Sequence, residues 1–243
     1  MALNTRNIEI EGLPVRYHEA GSRQGAPIIF LHGAVGDALF HWERLMFELE
    51  AEYHLLAPDL PGFGETALLP EMTYEALVTW VKQFYVAVGI RDAVLVGNSL
   101  GGLIARLLAS ESSKMVPALI LINGGVLPGK PAAIPKLLAN VPYVGDWLFE
   151  TISKGGIKDR EALEWLVTDP SNKDILTDKM VQAAADSAPA LSAVMRMQIQ
   201  SPVPQLRVPM VPTLLLWGAQ DTFSPVSAGE KVHKSIPGSK FRK

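Results

Sequence analysis

Apolar residues fall into two rhythms along this chain. Asn7 to Ile10 and Val15 to His18 alternate apolar and polar positions around Glu11-Gly12-Leu13-Pro14, the period-two pattern of an antiparallel hairpin. Five later runs are apolar at nearly every position: Pro27 to Leu31, His54 to Ala57, Ala93 to Val96, Ala118 to Ile122 and Thr213 to Trp217. Short runs of that kind suit strands buried on both faces of a parallel sheet. Helical spacing lies between them. Asp37 predicts an N-cap for a helix to Leu49 that turns Phe40, Leu45 and Leu49 inward. Thr73 predicts a second cap, with Leu77, Trp80, Val81, Phe84 and Val88 on one face and Gly89 at the end. Leu100 to Ala109 is apolar almost all round, which predicts a buried helix. Strand–helix alternation after an opening hairpin is the pattern of an α/β fold with a mostly parallel sheet.

The alternation stops between Gly124 and Val208. Segments around Trp147-Leu148-Phe149, Leu163 to Val167, Lys179 to Ala188 and Leu191 to Ile199 read as helices, with no strand-like run among them. The expected organisation is a core of residues 1–123 and 208–243 with a helical cap inserted over 124–207. Ordinary connecting helices are the alternative. A helix from about Val226 and the start of a last strand at Lys240-Phe241-Arg242-Lys243 complete the reading.

Composition removes several function classes. The 243 residues are 48% hydrophobic and 19% charged, too apolar for a disordered chain. There is no Cys, hence no disulfide scaffold, zinc–thiolate site or Cys nucleophile. No metal site and no cofactor are expected. The net charge is −3 with no Lys/Arg run before the tail, so a nucleic-acid groove is not expected. The longest uncharged stretch, Met115 to Gly129, is 15 residues and is broken by Pro117 and glycines. A membrane span needs ~18 or more apolar residues. The N-terminus lacks the apolar core of a signal peptide. The expectation is a cytoplasmic monomer or dimer that does not engage a membrane.

The candidate chemistry sits at the ends of the apolar runs. Gly97-Asn98-Ser99-Leu100-Gly101 fits G-x-S-x-G between a strand run and a helix pattern. That order lifts a serine hydroxyl above the sheet on a sharp turn and aims a helix N-terminus at it. Leu31-His32-Gly33-Ala34 closes an earlier strand, where a backbone N–H can supply half of an oxyanion hole. Ala34 and Leu100 are the two expected donors, and His32 is expected to be a structural hydrogen-bonder. Asp59 is assigned to turn hydrogen bonds. Gly62 to Ala67 fits G-x-G-x-x-A, but Pro61 precedes it and Pro70 follows where a helix should begin, so no dinucleotide site is expected. Asp221, just past the Thr213 to Trp217 run, is placed where a carboxylate can orient an imidazolium; a helix cap is its alternative role.

Taken together, His32-Gly33, the Asp59 to Gly64 turn, Gly97 to Gly102 and Trp217-Gly218 to Asp221 resemble the α/β-hydrolase fold family in order and spacing. The resemblance runs from the hairpin to Lys243. It implies a sheet of about eight strands with a helical cap after strand six, Ser99 as nucleophile and Asp221 as triad acid, supported by His32, Gly33, Gly97, Asn98 and Gly101. Members that open epoxides or remove halides carry Asp at the elbow, which Ser99 argues against. The family places its triad His roughly 25–30 residues after the acid, and no His occupies that slot, which falls just past Lys243. His233 is 12 residues on, inside the expected helix. This leaves a longer native chain or a shortened product as expectations, and an open edge on the Leu214 to Trp217 strand.

Two classes of function are then expected. One is a hydrolase acting on a small apolar carboxylic ester through an acyl-enzyme on Ser99. Carbon–carbon cleavage of a vinylogous diketone is its variant; such enzymes use a cap Arg, for which Arg160 and Arg196 are available. The other is a catalytically impaired, ligand-binding member of the fold.

Overall fold

The computed structural model describes residues 3–129, 144–167, 169, 175–202 and 204–243. Eight strands form one sheet in the order β1-β2-β4-β3-β5-β6-β7-β8. They are β1 (Asn4–Ile10), β2 (Leu13–Ala20), β3 (Ala26–Leu31), β4 (Tyr53–Pro58), β5 (Val94–Asn98), β6 (Leu119–Ile122), β7 (Thr213–Leu216) and β8 (Lys240–Arg242). The β1–β2 and β2–β4 pairs are antiparallel and the others parallel. This is the α/β architecture that the strand–helix alternation predicts. The hairpin is tighter than expected. Its turn is Glu11-Gly12, both at positive φ (54° and 77°), and Leu13 and Pro14 already belong to β2. Positive φ at both turn positions matches the twist of the flanking strands.

Helices cover both faces of the sheet. Alternate residues of β3 show why: Ile29 and Leu31 pack with α2 (Tyr74–Ala87) and α3 (Ser99–Glu111), whereas Ile28 and Phe30 pack with α1 (Ala38–Leu49). Asp37 and Thr73 cap α1 and α2 by accepting the Phe40 and Ala76 N–H groups at 2.9 and 3.1 Å. The inward face of α1 differs from the expected one. Ala38, Trp42 and Met46 are buried with Leu49 packed against them as expected, but Leu45 is exposed and Phe40 packs against a separate apolar cluster. Every residue from Leu100 to Ala109 of α3 is buried, Arg106 included.

Between β6 and β7 the described regular elements are helical: α4 (Val144–Ile157), α5 (Arg160–Leu163) with a 3₁₀ turn at Glu164–Leu166, α6 (Asp178–Asp186) and α7 (Ala188–Gln200). Ile157, Leu163, Leu176, Ala184 and Ala188 form a cluster of their own, against which Val35 and Phe40 of the core pack. Parts of the Gly124 to Val208 segment, 130–143 among them, lie outside the described residues. After β7 comes α8 (Val226–Lys234). The edge of β7 is not open. Lys240, Phe241 and Arg242 pair in parallel with Leu214, Leu215 and Leu216, so the short basic end forms a strand and covers that edge.

A cluster of donors around the buried Glu19 joins three strands and the β2–β3 loop. Glu19 accepts hydrogen bonds from Arg6, from Arg23 (2.8 and 3.0 Å) and from His54 (2.8 Å). Burial alone would raise its carboxyl pKa, but these donors override that and bring it from 4.5 to about 2. The folded value lies below the unfolded one. Its stabilising contribution is therefore complete above about pH 5 and is lost as the pH falls from there toward 2. Glu19→Gln should lower the urea midpoint at pH 6, and its midpoint should drop less than that of the native chain on going to pH 3.

Candidate active site

The site is assembled where β3, β5, β6 and β7 end. β5 stops at Asn98, and Ser99 starts α3 at φ 47°. Such a conformation in a non-glycine residue costs roughly 1–3 kcal/mol and persists only where packing imposes it. Here the backbone is pressed together. A Cβ at Gly97 would collide with the Gly101 carbonyl, and one at Gly101 with the Leu31 carbonyl. The Gly101 N–H donates to the His32 carbonyl at 3.0 Å, tying α3 to the end of β3. The Asn98 amide donates to the Ile122 carbonyl at 3.0 Å, tying β5 to β6. Leu100 lies in the first turn of α3, where N–H groups have no intrahelical acceptor.

His32 is fully buried and organises the next loop. Its Nε2 accepts the Leu60 N–H at 2.8 Å, so Nδ1 carries the proton and donates to the Gly33 carbonyl at 2.6 Å. Burial holds this imidazole neutral, with its pKa down to about 4. A trans peptide unit points its C=O and N–H in opposite directions. Fixing the Gly33 carbonyl therefore fixes the aim of the Ala34 N–H.

Asp221 is held from two sides. Its Oδ1 accepts the Ser224 N–H at 2.6 Å and its Oδ2 accepts the Asn123 amide. Asn123 follows β6 at φ 46° and takes the Gly218 N–H on its Oδ1 at 3.1 Å. It was not singled out from the sequence; the signal for it was a polar side chain ending an apolar strand run. Asp221 does not cap α8, whose N-cap is Pro225. Asp59 is fully buried and makes turn contacts, accepting from the Ala38 N–H at 2.9 Å and from Arg16.

A cavity of about 800 Å³ joins these parts. Ser99, Leu100, Ala34, Gly33, Asn98, Asn123 and Asp221 line it on the core side. Ile152, Ile157, Leu166, Leu176, Met180, Leu191, Val194 and Met195 line it from the segment between β6 and β7. Its volume falls within the ~300–1,000 Å³ usual for small-molecule sites. No Lys or Arg lines it among the described residues. Arg160 bonds the Leu176 carbonyl and Asp178, and Arg196 lines a separate cavity of about 470 Å³. His233 bonds Ser239 at 2.7 Å, stacks on Phe241 and does not reach the cavity. The imidazole in the wall is His41 of α1. A Cβ at Gly33 would lie 3.1 Å from His41 Cε1 and 3.4 Å from Ser99 Cβ.

Residues 28–239 match the model of the alpha/beta hydrolase family. The chain belongs to the alpha/beta hydrolase family. Among the relatives of this alpha/beta hydrolase, epoxide hydrolase 4 of Homo sapiens is 28% identical, over 92% of this chain and 67% of that one. Lipase 1 of Psychrobacter immobilis is 26% identical, over 96% of this chain and 76% of that one. The solved 2-hydroxy-6-oxo-6-phenylhexa-2,4-dienoate hydrolase of Rhodococcus sp. strain RHA1 superposes with a TM-score of 0.75 at 20% identity, covering 99% of this chain and 90% of that one. These relatives are hydrolases by name, but of different bonds. No helix among the described residues is long and apolar enough to cross a membrane.

Proposed function

We propose that the chain is a serine hydrolase of uncharged carboxylic esters, acting through an acyl-enzyme on Ser99. The observation that carries this is a single cavity, apolar on one side, that holds Ser99 and Asp221 and has no cationic side chain among its described lining residues. A neutral acyl chain loses little on entering such a space, whereas a carboxylate there would lose hydration without gaining a partner.

In the proposed step, Ser99 Oγ attacks the ester carbonyl carbon and its proton passes to a base. The carbonyl oxygen, now an oxyanion, accepts from the Ala34 and Leu100 N–H groups. The tetrahedral species collapses, the carbon–oxygen bond breaks, and the alcohol leaves with the proton. Water then attacks the acyl-serine and releases the acid and the free hydroxyl. Asp221 is the group to orient an imidazolium base. The histidine among the described lining residues is His41, whose Nε2 proton is held by the Val35 carbonyl, so this reading takes the base from outside that wall. The helices over 124–207 act as a cap: they supply the apolar side of the cavity and keep water from the acyl chain.

Carbon–carbon cleavage of a dienoate is the competing reading, and the charge of the substrate separates the two. With free imidazole as base, p-nitrophenyl butyrate should be hydrolysed with a kcat/KM at least ~100-fold above that for 2-hydroxy-6-oxo-6-phenylhexa-2,4-dienoate, whose carboxylate would be buried unpaired. The reverse preference overturns the ester reading. A butyrate rate equal in the native chain and Ser99→Ala would leave a binding role instead.

A further inference from the structure

The loop that carries Ala34 is gripped at a second point, beyond the one His32 makes. The peptide unit joining Val35 to Gly36 has both of its polar ends engaged. Its carbonyl accepts from His41 Nε2 at 2.8 Å, and its N–H donates to Ser187 Oγ at 3.0 Å. The two partners come from opposite sides. His41 is on α1, in the core. Ser187 is at the junction of α6 and α7, in the inserted helical segment, where it is 1% exposed and its hydroxyl donates to the Ala184 carbonyl at 2.7 Å. With its proton spent on Ala184, the Ser187 oxygen is free to act as acceptor for the Gly36 N–H. Val35 and Phe40 also pack into the apolar cluster built by the inserted helices.

We propose that His41 and Ser187 are positioning residues for the oxyanion hole, clamping the Val35–Gly36 peptide between α1 and the cap so that the seating of the cap sets the aim of the Ala34 N–H. The inference rests on the serine-hydrolase reading above and adds to it a link between cap and catalytic loop. Chain geometry makes the link short. The Gly33–Ala34 peptide is held by His32 and the Val35–Gly36 peptide by this clamp, leaving one peptide unit between two fixed ones. If the cap lifts, the Gly36 N–H loses its acceptor in a buried place and the loop relaxes toward another partner. His41 suits a fixed donor. Burial, with His32 beside it, lowers its pKa to about 3, so the ring stays neutral and its Nε2 proton remains committed to Val35.

The test compares Ser187→Ala, His41→Phe and His41→Gln with the native chain. Hydrogen exchange read by mass spectrometry on peptides spanning 33–37 needs no turnover. Exchange at 34–36 should be about tenfold faster in Ser187→Ala and in His41→Phe, and near native in His41→Gln, whose amide can still donate to Val35. The kcat on p-nitrophenyl butyrate with imidazole, or the labelling rate with a fluorophosphonate, should fall about tenfold in the first two, with KM within about twofold, and recover in His41→Gln. That is less than the 10²–10³ that follows outright loss of an oxyanion donor. Unchanged exchange at 34–36 in either Ser187→Ala or His41→Phe overturns the clamp. Faster exchange with no fall in kcat or labelling overturns its link to the oxyanion hole. Hydrolysis that survives Ser99→Ala overturns the parent reading instead, and is told apart because loop exchange does not depend on Ser99.

Discussion

Adding free imidazole to the 243-residue chain is expected to raise its hydrolysis of p-nitrophenyl butyrate at least tenfold above the rate that imidazole gives alone. The proposed site brings three parts into one cavity: Ser99 on its strained turn, Ala34 and Leu100 as oxyanion donors, and Asp221 held by Asn123 and Ser224. The proton acceptor is the part that none of these side chains supplies. His233 is engaged with Ser239 and Phe241, and His18 and His54 lie in strands β2 and β4. His32 has both ring nitrogens committed, and the Nε2 proton of His41 is held by Val35. Both buried rings are poor bases, with pKa values near 4 and 3. Loss of the histidine in a comparable triad costs on the order of 10⁶ in kcat, so a diffusing base has a large deficit to recover. Stimulation should saturate as imidazole fills the space beside Asp221, and Asp221→Ala should reduce it. A native chain that hydrolyses the ester rapidly with no imidazole present would mean that another side chain serves Ser99.

Ser99→Ala should remove all of that stimulated rate, leaving only the imidazole background. Alanine keeps the Cβ that the turn already accommodates at φ 47°, and the glycines at 97 and 101 keep their backbone contacts. The substitution therefore removes the proposed nucleophile without rebuilding the elbow, and melting should stay within a few degrees of native. A variant that melts normally and still responds to imidazole as the native chain does would exclude Ser99 as the nucleophile.

The strands and the elbow were legible because their signals are local. Apolar runs bounded by Gly and Pro mark β3 to β7 to within a residue or two, and the spacing of Gly97 and Gly101 reports a close backbone approach that only glycine permits. The inward face of α1 was not legible. That helix lies between the sheet and the inserted helices, so Phe40 serves one apolar cluster while Ala38, Trp42 and Met46 serve another. No single stripe identifies the sheet side. β8 was legible only as a beginning, since Lys240, Phe241 and Arg242 are too few to show a period and are fixed by pairing with β7. Asn123 and Ser187 depend on contacts 98 and 151 residues apart in the chain, set by tertiary packing rather than by any motif, and His41, which bonds six residues back, carries no motif of its own. The resemblance to α/β hydrolases supplied the roles proposed for Ser99 and Asp221; the hydrogen bonds that hold Asp221 came from the structure.

The central claim is that Ser99 is the atom that takes the acyl group. Its most direct test is peptide mapping by mass spectrometry after reaction with a fluorophosphonate in the presence of imidazole. The account predicts one adduct per chain, on the peptide containing Ser99, with none in Ser99→Ala. An adduct on another residue, or equal labelling of the alanine variant, would contradict it.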